Sequence, residues 1–334
     1  MIKRFPPLQR AALATTVCIS LMTAGMAAAA DLVRVGSFPV ASSLPYYVAK
    51  DRGYFAEQGI ETEEVRLMGG PALLSALISG QIDAAANLVT LEGMNGNLLR
   101  AGVATYIAIN GQNTEYPMEQ YVAHGRLGIE TLEELVNVDK RPLRVMSAPG
   151  PANMAVARAG LSAVGLTEGQ DYILNELAMN LHVEAMLAGT FDLGMTLEPN
   201  ATVMLGRGNL VAIESGIIAN RVIQREGAQA WAAGAALNQA FIDANPDVAR
   251  RFALAWSKAV DDIANDPGAR ESLKGNTFTP DDIAATVPLP KFTMIKDLDD
   301  QDLADFQTFL DWGTELGLMR QNVAASTFLK DLEN

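Results

Sequence analysis

The chain contains one α/β pattern twice. Residues Val33–Asn87 read in order as strand, helix, strand, helix and strand, and residues Leu143–Thr196 repeat that order. The copies also share residues, because Leu32–Pro39 aligns with Pro142–Pro149 with arginine, valine, serine and proline at the same places. A duplicated unit of this kind predicts two homologous α/β lobes with a cleft between them.

The ends of the helices repeat as well. Ala76–Asp83 aligns with Ala185–Asp192, and in each copy an amphipathic helix ends at a glycine before a buried strand. The last residues of the two segments, Asp83 and Asp192, therefore occupy the same place in their lobes. We interpret this carboxylate pair as structural rather than catalytic.

The repeat also predicts how the chain divides. We expect an α/β fold of two lobes, each a mainly parallel sheet flanked by helices, with residues 31–118 and 214–334 in the first lobe and residues 119–213 in the second. The chain would cross between the lobes within residues 98–123 and 203–218 or so, and these crossings would act as hinges.

Three later segments show helical spacing of apolar residues and are expected to pack on the first lobe. They are Trp231–Asn245, Pro246–Asn265 and Asp302–Leu316. We interpret all three as packing elements rather than as carriers of chemistry.

The first thirty residues have the features of a secretory signal peptide. A start with three basic side chains precedes an apolar stretch over residues 11–26, and three alanines end the segment at Ala30. An uncleaved membrane anchor is the alternative, but the stretch lacks the bulky aliphatic residues and the length of about 20 that a spanning helix needs. We therefore expect residues 1–30 to be removed and the mature protein to be periplasmic.

The composition of the mature chain limits its partners. The only cysteine, Cys18, lies in the predicted signal peptide, so we expect no thiol, disulfide or lipid anchor after cleavage. Cleavage also removes three positive charges and no negative ones, which takes the net charge from −14 to −17. Such a chain repels nucleic acid and anionic membrane surfaces.

The cleft is where a ligand is expected. Ligands of parallel α/β sheets bind beyond the carboxyl ends of the strands, and helix amino termini there offer free N–H groups to an anion. Five loops occupy such positions: Ser37–Ser43, Gly69–Pro71, Asn87–Thr90, Ser147–Asn153 and Thr196–Asn200. The candidate ligand-binding residues in and next to these loops are Phe38, Ser42, Ser43, Tyr46, Gly69, Gly70, Asn87, Gly150, Pro151, Asn153 and Glu198.

Several of these candidates have two interpretations. Phe38 and Tyr46 either close over a ligand or belong to the core. Ser42 and Ser43 either donate to the ligand or cap their own helix. Glu198 lies at a strand end, where it would pair with a ligand donor or with the opposite lobe.

The sequence contains no motif for catalysis or for a cofactor. His124 and His182 are the only histidines, and neither has a carboxylate or cysteine at a metal-ligand spacing. No phosphate-binding loop and no nucleophile elbow is present. We expect no catalytic residues, no metal and no cofactor.

Longer stretches resemble a known family. They are Gly36–Val40, Leu44–Phe55, Gly59–Ile60, Gly69–Pro71, Ser79–Ala85, Ser147–Gly150, Ala188–Asp192 and Leu197–Pro199. These segments resemble the periplasmic substrate-binding proteins of the nitrate, sulfonate and taurine class of ABC importers, over nearly all of the mature chain. The resemblance implies a hinged, type II-like two-lobe protein, expected to be a monomer, that closes over a small solute and delivers it to a membrane permease.

Alternatives to this function stay open. The fold also resembles that of pyrimidine synthases of thiamine biosynthesis, which are enzymes that use histidine and a cysteine-rich motif, and a receptor for a sensor would share both fold and ligand. For the solute we favour a small organic anion, a sulfonate or carboxylate, because helix amino termini converge on the cleft. A neutral aromatic heterocycle such as a pyrimidine is the second choice.

Overall fold

The structure, a computed structural model, describes Met1 and residues 30–334. The predicted signal peptide and Cys18 thus lie outside the described residues, apart from the two ends of that segment. None of the described helices is long and apolar enough to span a membrane.

Two β-sheets with helices around them make up the described chain. The strands are β1 (Asp31–Ser37), β2 (Ile60–Arg66), β3 (Ala84–Val89), β4 (Thr105–Gln112), β5 (Glu119–His124), β6 (Leu143–Ser147), β7 (Tyr172–Glu176), β8 (Leu193–Leu197), β9 (Leu210–Ser215), β10 (Ala230–Leu237) and β11 (Lys291–Met294). The helices are α1 (Leu44–Asp51), α2 (Tyr54–Glu57), α3 (Gly70–Ser79), α4 (Thr90–Leu99), α5 (Pro151–Ala163), α6 (Met179–Leu187), α7 (Asn200–Arg207), α8 (Gln239–Ala244), α9 (Pro246–Asn265) and α10 (Asp300–Glu315).

Both sheets mix parallel and antiparallel strands. The first has the order β11-β4-β10-β3-β1-β2, and the second has the order β7-β6-β8-β5-β9. Within them, β1 is parallel to β2 and β3, and β6 is parallel to β7 and β8. The antiparallel strands β10 and β5 lie beside β3 and β8. This confirms the predicted α/β fold of two lobes, but the sheets are mixed rather than mainly parallel, because β10, β4 and β11 in the first sheet and β5 and β9 in the second pair in antiparallel fashion.

The internal repeat extends to register and hydrogen bonds. Val35 pairs with Ala84, and its counterpart Val145 pairs with Leu193. Next to these pairs, the aspartate just before each third strand accepts a hydrogen bond from the backbone N–H of an arginine in the first strand, at 2.9 Å from Arg34 to Asp83 and 2.8 Å from Arg144 to Asp192. Each aspartate thus links the turn between a helix and the third strand to the neighbouring first strand.

Asp192 has further basic partners. Its carboxylate, which is fully buried, also accepts hydrogen bonds from Arg126 and Lys140. Burial alone would raise its pKa, but the Arg144 N–H, Lys140 and Arg126 outweigh that effect and lower the pKa to about 2. This engagement agrees with the structural interpretation of the pair.

The predicted helix over Trp231–Asn245 is wrong in its first half. Residues 230–237 form strand β10, and only Gln239–Ala244 are helical. The segment is rich in alanine, which favours helix locally, but β10 is hydrogen-bonded to β3 on one side and β4 on the other. Pairing with two neighbours in the middle of the sheet overrides the local preference.

The crossings between the sheets differ from the predicted ranges. The first is residues 113–118, which is shorter than predicted because the range 98–123 includes all of β4 and most of β5. The second is residues 216–229, because the range 203–218 includes β9 and ends before this crossing does. The two crossings touch, since Asn113 Nδ2 donates to the Ala228 carbonyl at 3.2 Å and a Cβ on Gly216 would lie 2.5 Å from the Asn113 carbonyl carbon. The predicted lobe boundary at 213/214 falls inside β9, and the division into lobes stays a prediction.

The long late helices cover the first sheet. Helix α9 packs on α1 and α2, where the rings of Phe55 and Phe252 stack at 4.9 Å between centroids. Helix α10 packs on β10 and on the turn Ile218–Ile223 of the second crossing. These contacts place α9 and α10 beside the first sheet, where the sequence assigned them.

Candidate functional site

A small cavity lies between the two sheets. Its volume is about 50 Å³, and its walls come from the ends of β1, β3, β4, β8 and β10 and from the start of α5. Since a buried water needs about 10–15 Å³, the cavity has room for a few waters or a very small group. Most of its wall is apolar, from residues such as Phe38, Val40, Val89, Met195, Leu197 and Phe309.

One wall of the cavity is fixed by a buried amide. The Asn87 side chain accepts from the Phe38 N–H at 3.0 Å and donates to the Phe38 carbonyl at 2.8 Å and to Ser42 Oγ at 3.0 Å. Asn110 Nδ2 donates to the Ser42 carbonyl at 3.2 Å. These bonds tie the loop after β1 to β3 and β4, so the wall is rigid before any ligand arrives.

Two further polar groups at the cavity come from around the first crossing. Gln112 ends β4, and Glu119 begins β5. Glu119 is only 2% exposed; its Oε1 accepts from the Ile218 N–H at 3.1 Å, and its Oε2 has no partner among the described residues. Burial raises its pKa to about 7. None of the described residues that line the cavity is a lysine or an arginine.

The two lobes also touch outside the cavity, through equivalent glycine-proline turns. A Cβ on Gly69 would lie 3.3 Å from Pro149 Cγ, and a Cβ on Gly150 would lie 3.2 Å from Pro71 Cδ. A second contact is a hydrogen bond from the Ala41 N–H to the Glu198 carbonyl at 2.9 Å. The turns that open α3 and α5 thus face each other across the lobes.

A carboxyl group of the chain itself occupies the amino terminus of α5. Glu92 of α4 reaches across the lobes, and its Oε1 lies 3.5 Å from the Ala152 N–H, while Glu176 Oε2 accepts from the Gly150 N–H at 3.3 Å. Glu92 is buried, its Oε2 has no partner among the described residues, and burial raises its pKa to about 7. The amides expected to hold an anionic ligand therefore already face two carboxyl groups.

The structure brings four of the predicted residues to the cavity. Phe38, Ser42, Asn87 and Asn153 line it. Their role in binding a ligand stays a prediction.

The remaining predicted residues lie elsewhere. Ser43 and Tyr46 are fully buried in the first lobe, where Ser43 Oγ donates to the Val40 carbonyl at 2.7 Å and the Tyr46 ring packs beside Tyr47 and Phe55. Both side chains are therefore part of the first lobe's core and not of the cavity. Gly69 and Gly150 lie at the contact between the turns, whereas a Cβ on Gly70 would meet Val89 and Glu92 of its own lobe, and Pro151 is the first residue of α5.

Glu198 has its own partners within the second lobe. Its carboxyl accepts from Gln120 Nε2, from the Thr202 N–H at 3.2 Å and from Thr202 Oγ1 at 2.8 Å. The expected pairing with the opposite lobe is made by the Glu198 backbone carbonyl instead, which accepts from Ala41. The side chain therefore braces α7.

Sequence reasoning missed the cavity residues of β4 and β5. Asn110, Gln112 and Glu119 lie in a range read as a crossing. A signal was present, because Asn110 and Gln112 are polar residues two positions apart in an otherwise apolar strand and so face the same side.

Solved structures with the same fold include binding proteins and an enzyme. The ligand-binding component of an ABC-type import system from Staphylococcus aureus, solved with zinc bound, has a TM-score of 0.69 at 14% identity, covering 91% of this chain and 98% of that one. The alkanesulfonate-binding protein SsuA from Xanthomonas axonopodis pv. citri, bound to MOPS, has a TM-score of 0.68 at 15% identity, with 91% and 99% covered. The desulfurization enzyme DSZB has a TM-score of 0.64 at 12% identity, with 91% and 98% covered.

These similarities concern the fold, and they confirm the predicted periplasmic binding protein architecture. No curated protein sequence matches the chain. A model of the NMT1-like family matches residues 27–274. Since this match spans well over half of the sequence, the chain belongs to the NMT1-like family.

Proposed function

We propose that the chain is the extracytoplasmic solute-binding component of an ABC importer, which encloses a small solute between its lobes and delivers it to a membrane permease. The observation that supports this most is the cavity, whose walls come from both lobes and lie at the strand ends. The crossings at residues 113–118 and 216–229 supply the hinge that opening requires.

The partners and location follow from the same proposal. The mature protein would be a periplasmic monomer. It would bind no nucleic acid, because its net charge is strongly negative. The solute and the permease would be its only obligatory partners.

For the solute, the cavity favours the second of the two classes considered. A sulfonate or carboxylate needs a cation or free amides, whereas the described wall has no lysine or arginine and the amides of α5 face Glu92 and Glu176. A very small uncharged solute with polar edges suits a largely apolar wall that carries amide and carboxyl groups. We therefore propose a small uncharged solute ahead of an organic anion.

An enzyme of the pyrimidine synthase type is less well supported. Neither His124 nor His182 lines the cavity. His182 is buried, and its ring nitrogens lie 2.9 Å from Thr196 Oγ1 and from the Leu177 carbonyl. Burial also lowers its pKa to about 4. These contacts engage both nitrogens with the chain itself.

The proposal is tested with the mature protein, residues 31–334. Thermal shift would first screen sulfonates, carboxylates, nitrate, amides and pyrimidines, and small-angle X-ray scattering would then measure compaction with each hit. We expect at least one solute to raise the melting temperature and reduce the radius of gyration while staying chemically intact by mass spectrometry. Conversion of a hit into another compound would refute a purely binding role, and the absence of any compaction would refute closure.

A further inference from the structure

Glu119 is the one charged side chain at the cavity within the described part of the chain. It is placed there by β5, whose first residue it is, directly after the first crossing. Its Oε1 is held by the Ile218 N–H of the second crossing at 3.1 Å. The position of the carboxyl group is therefore set by both crossings, and its second oxygen makes no hydrogen bond to the described residues.

That second oxygen, Oε2, is buried without a hydrogen-bond donor among the described residues. A buried acceptor without a partner costs about 1–3 kcal/mol, so such groups are usually removed or satisfied. Glu198, another buried carboxyl of the same lobe, shows the usual solution, because it accepts from Gln120 and Thr202. An unsatisfied carboxyl oxygen on a residue that lines a cavity can take a donor from the ligand as its partner.

The charged side chains around Glu119 do not form an ion pair with its carboxyl group. Glu214 on the neighbouring strand is close enough to raise the Glu119 pKa further, and Glu214 is itself paired with Arg221 at 2.7 Å. Arg221 also pairs with Glu133 at 2.6 Å. The nearby cation is therefore shared by two other carboxylates, and no described lysine or arginine pairs with Glu119.

We propose that Glu119 is the specificity-determining residue of this site, accepting at Oε2 a hydrogen bond from an N–H or O–H group of an uncharged solute and rejecting carboxylates and sulfonates. The inference rests on the proposed function and adds the chemical rule by which the solute is chosen. An anion would place like charges together in a poorly solvated cavity, which is how a binding site discriminates by repulsion.

Matched pairs of probes test this rule. Acetamide and acetate, methanesulfonamide and methanesulfonate, and benzamide and benzoate differ mainly in an uncharged N–H donor against an anionic oxygen. Isothermal titration calorimetry at pH 8.5, where Glu119 is ionised, would compare their binding to the mature protein. We expect the uncharged member of at least one pair to bind about tenfold or more tightly than its anion.

The variant Glu119→Gln replaces a hydrogen-bond acceptor by a donor with little change in side-chain shape. Its amide oxygen would keep the Ile218 N–H, so its NH₂ group would face the cavity as a donor. We expect the preference for the uncharged probe to disappear or invert. Glu198→Gln is the matched control, a buried carboxyl of the same lobe that does not line the cavity, and it should keep the wild-type preference. Circular dichroism would verify the fold of each variant.

A pH series adds a readout that a purely structural role would not move. As the pH falls from 8.5 through about 7, Glu119 takes up a proton, and the wild-type preference should shrink while that of Glu119→Gln stays constant. Equal or tighter binding of the anions by the wild type would overturn the role of Glu119 and leave the proposed function standing. An unchanged preference in Glu119→Gln would overturn it as well. Binding of no probe would also overturn it, and the scattering screen would then decide the proposed function separately.

Discussion

Glu92 should make the stability of this protein fall as the pH rises. Burial raises the Glu92 pKa from its ordinary value of 4.5 to about 7. A carboxyl whose pKa is raised in the folded state contributes its stability fully below pH 4.5 and loses it as the pH rises through about 7. At ~1.4 kcal/mol per pH unit, the difference corresponds to about 3 kcal/mol.

The variant Glu92→Gln cannot ionise and should lack this loss. Its amide oxygen can still face the Ala152 N–H, so at pH 5 we expect its free energy of unfolding to lie within about 1 kcal/mol of the wild type. At pH 8.5 it should be the more stable protein by about 2–3 kcal/mol. Urea unfolding at a series of pH values measures both numbers.

The comparison isolates Glu92, because Glu119 and Glu198 titrate in both proteins and cancel in the difference. Glu61→Gln, at an exposed position of β2, is the control and should leave the curve unchanged. If the difference between wild type and Glu92→Gln were the same at pH 5 and pH 8.5, the assignment of a buried ionisation cost to this contact would be wrong.

Three further predictions follow from the geometry. Gly150→Ala, at φ 106° and against Pro71, should lower the free energy of unfolding by about 1–3 kcal/mol and enlarge the radius of gyration of the ligand-free protein, as measured by X-ray scattering. The control Gly165→Ala, at φ 85° in open space, should strain the backbone without that enlargement. Asp192→Asn should lose about 3 kcal/mol in urea at pH 7, and the loss should shrink as the pH falls from 3.8 through about 2. Asn87→Ala removes three hydrogen bonds at the cavity wall and should lower both the melting temperature and the affinity for any solute found in the screen.

Much of the fold could be predicted from the sequence because the repeat makes β1, β2 and β3 of the first sheet equivalent to β6, β7 and β8 of the second. The antiparallel strands could not be predicted from the repeat. β10 consists mainly of alanine and becomes a strand only through β3 and β4, which are distant in the chain. β4 and β5 lie in a stretch read as a crossing, since no local pattern marks where a chain leaves one sheet for another.

The location of the candidate site was predicted more completely than the residues that form it. The rule that ligands bind at strand ends located the loops of Phe38, Asn87 and Asn153. It could not find Glu92, whose contact with Ala152 joins residues 60 positions apart on opposite lobes. It also assigned Glu198 to the cleft, because a strand end does not specify which way a side chain turns.

The contact between the two crossings has a mechanical consequence. Because residues 113–118 and 216–229 touch, the proposed hinge would have a single pivot line, and Glu119 and Ile218 lie beside it at the wall of the cavity. Under the proposed function, a solute bound there would act on a short lever arm, and the outer rims of the lobes would lie on the long arm. A small displacement at the solute would then be magnified at the rims, where the proposed permease would bind.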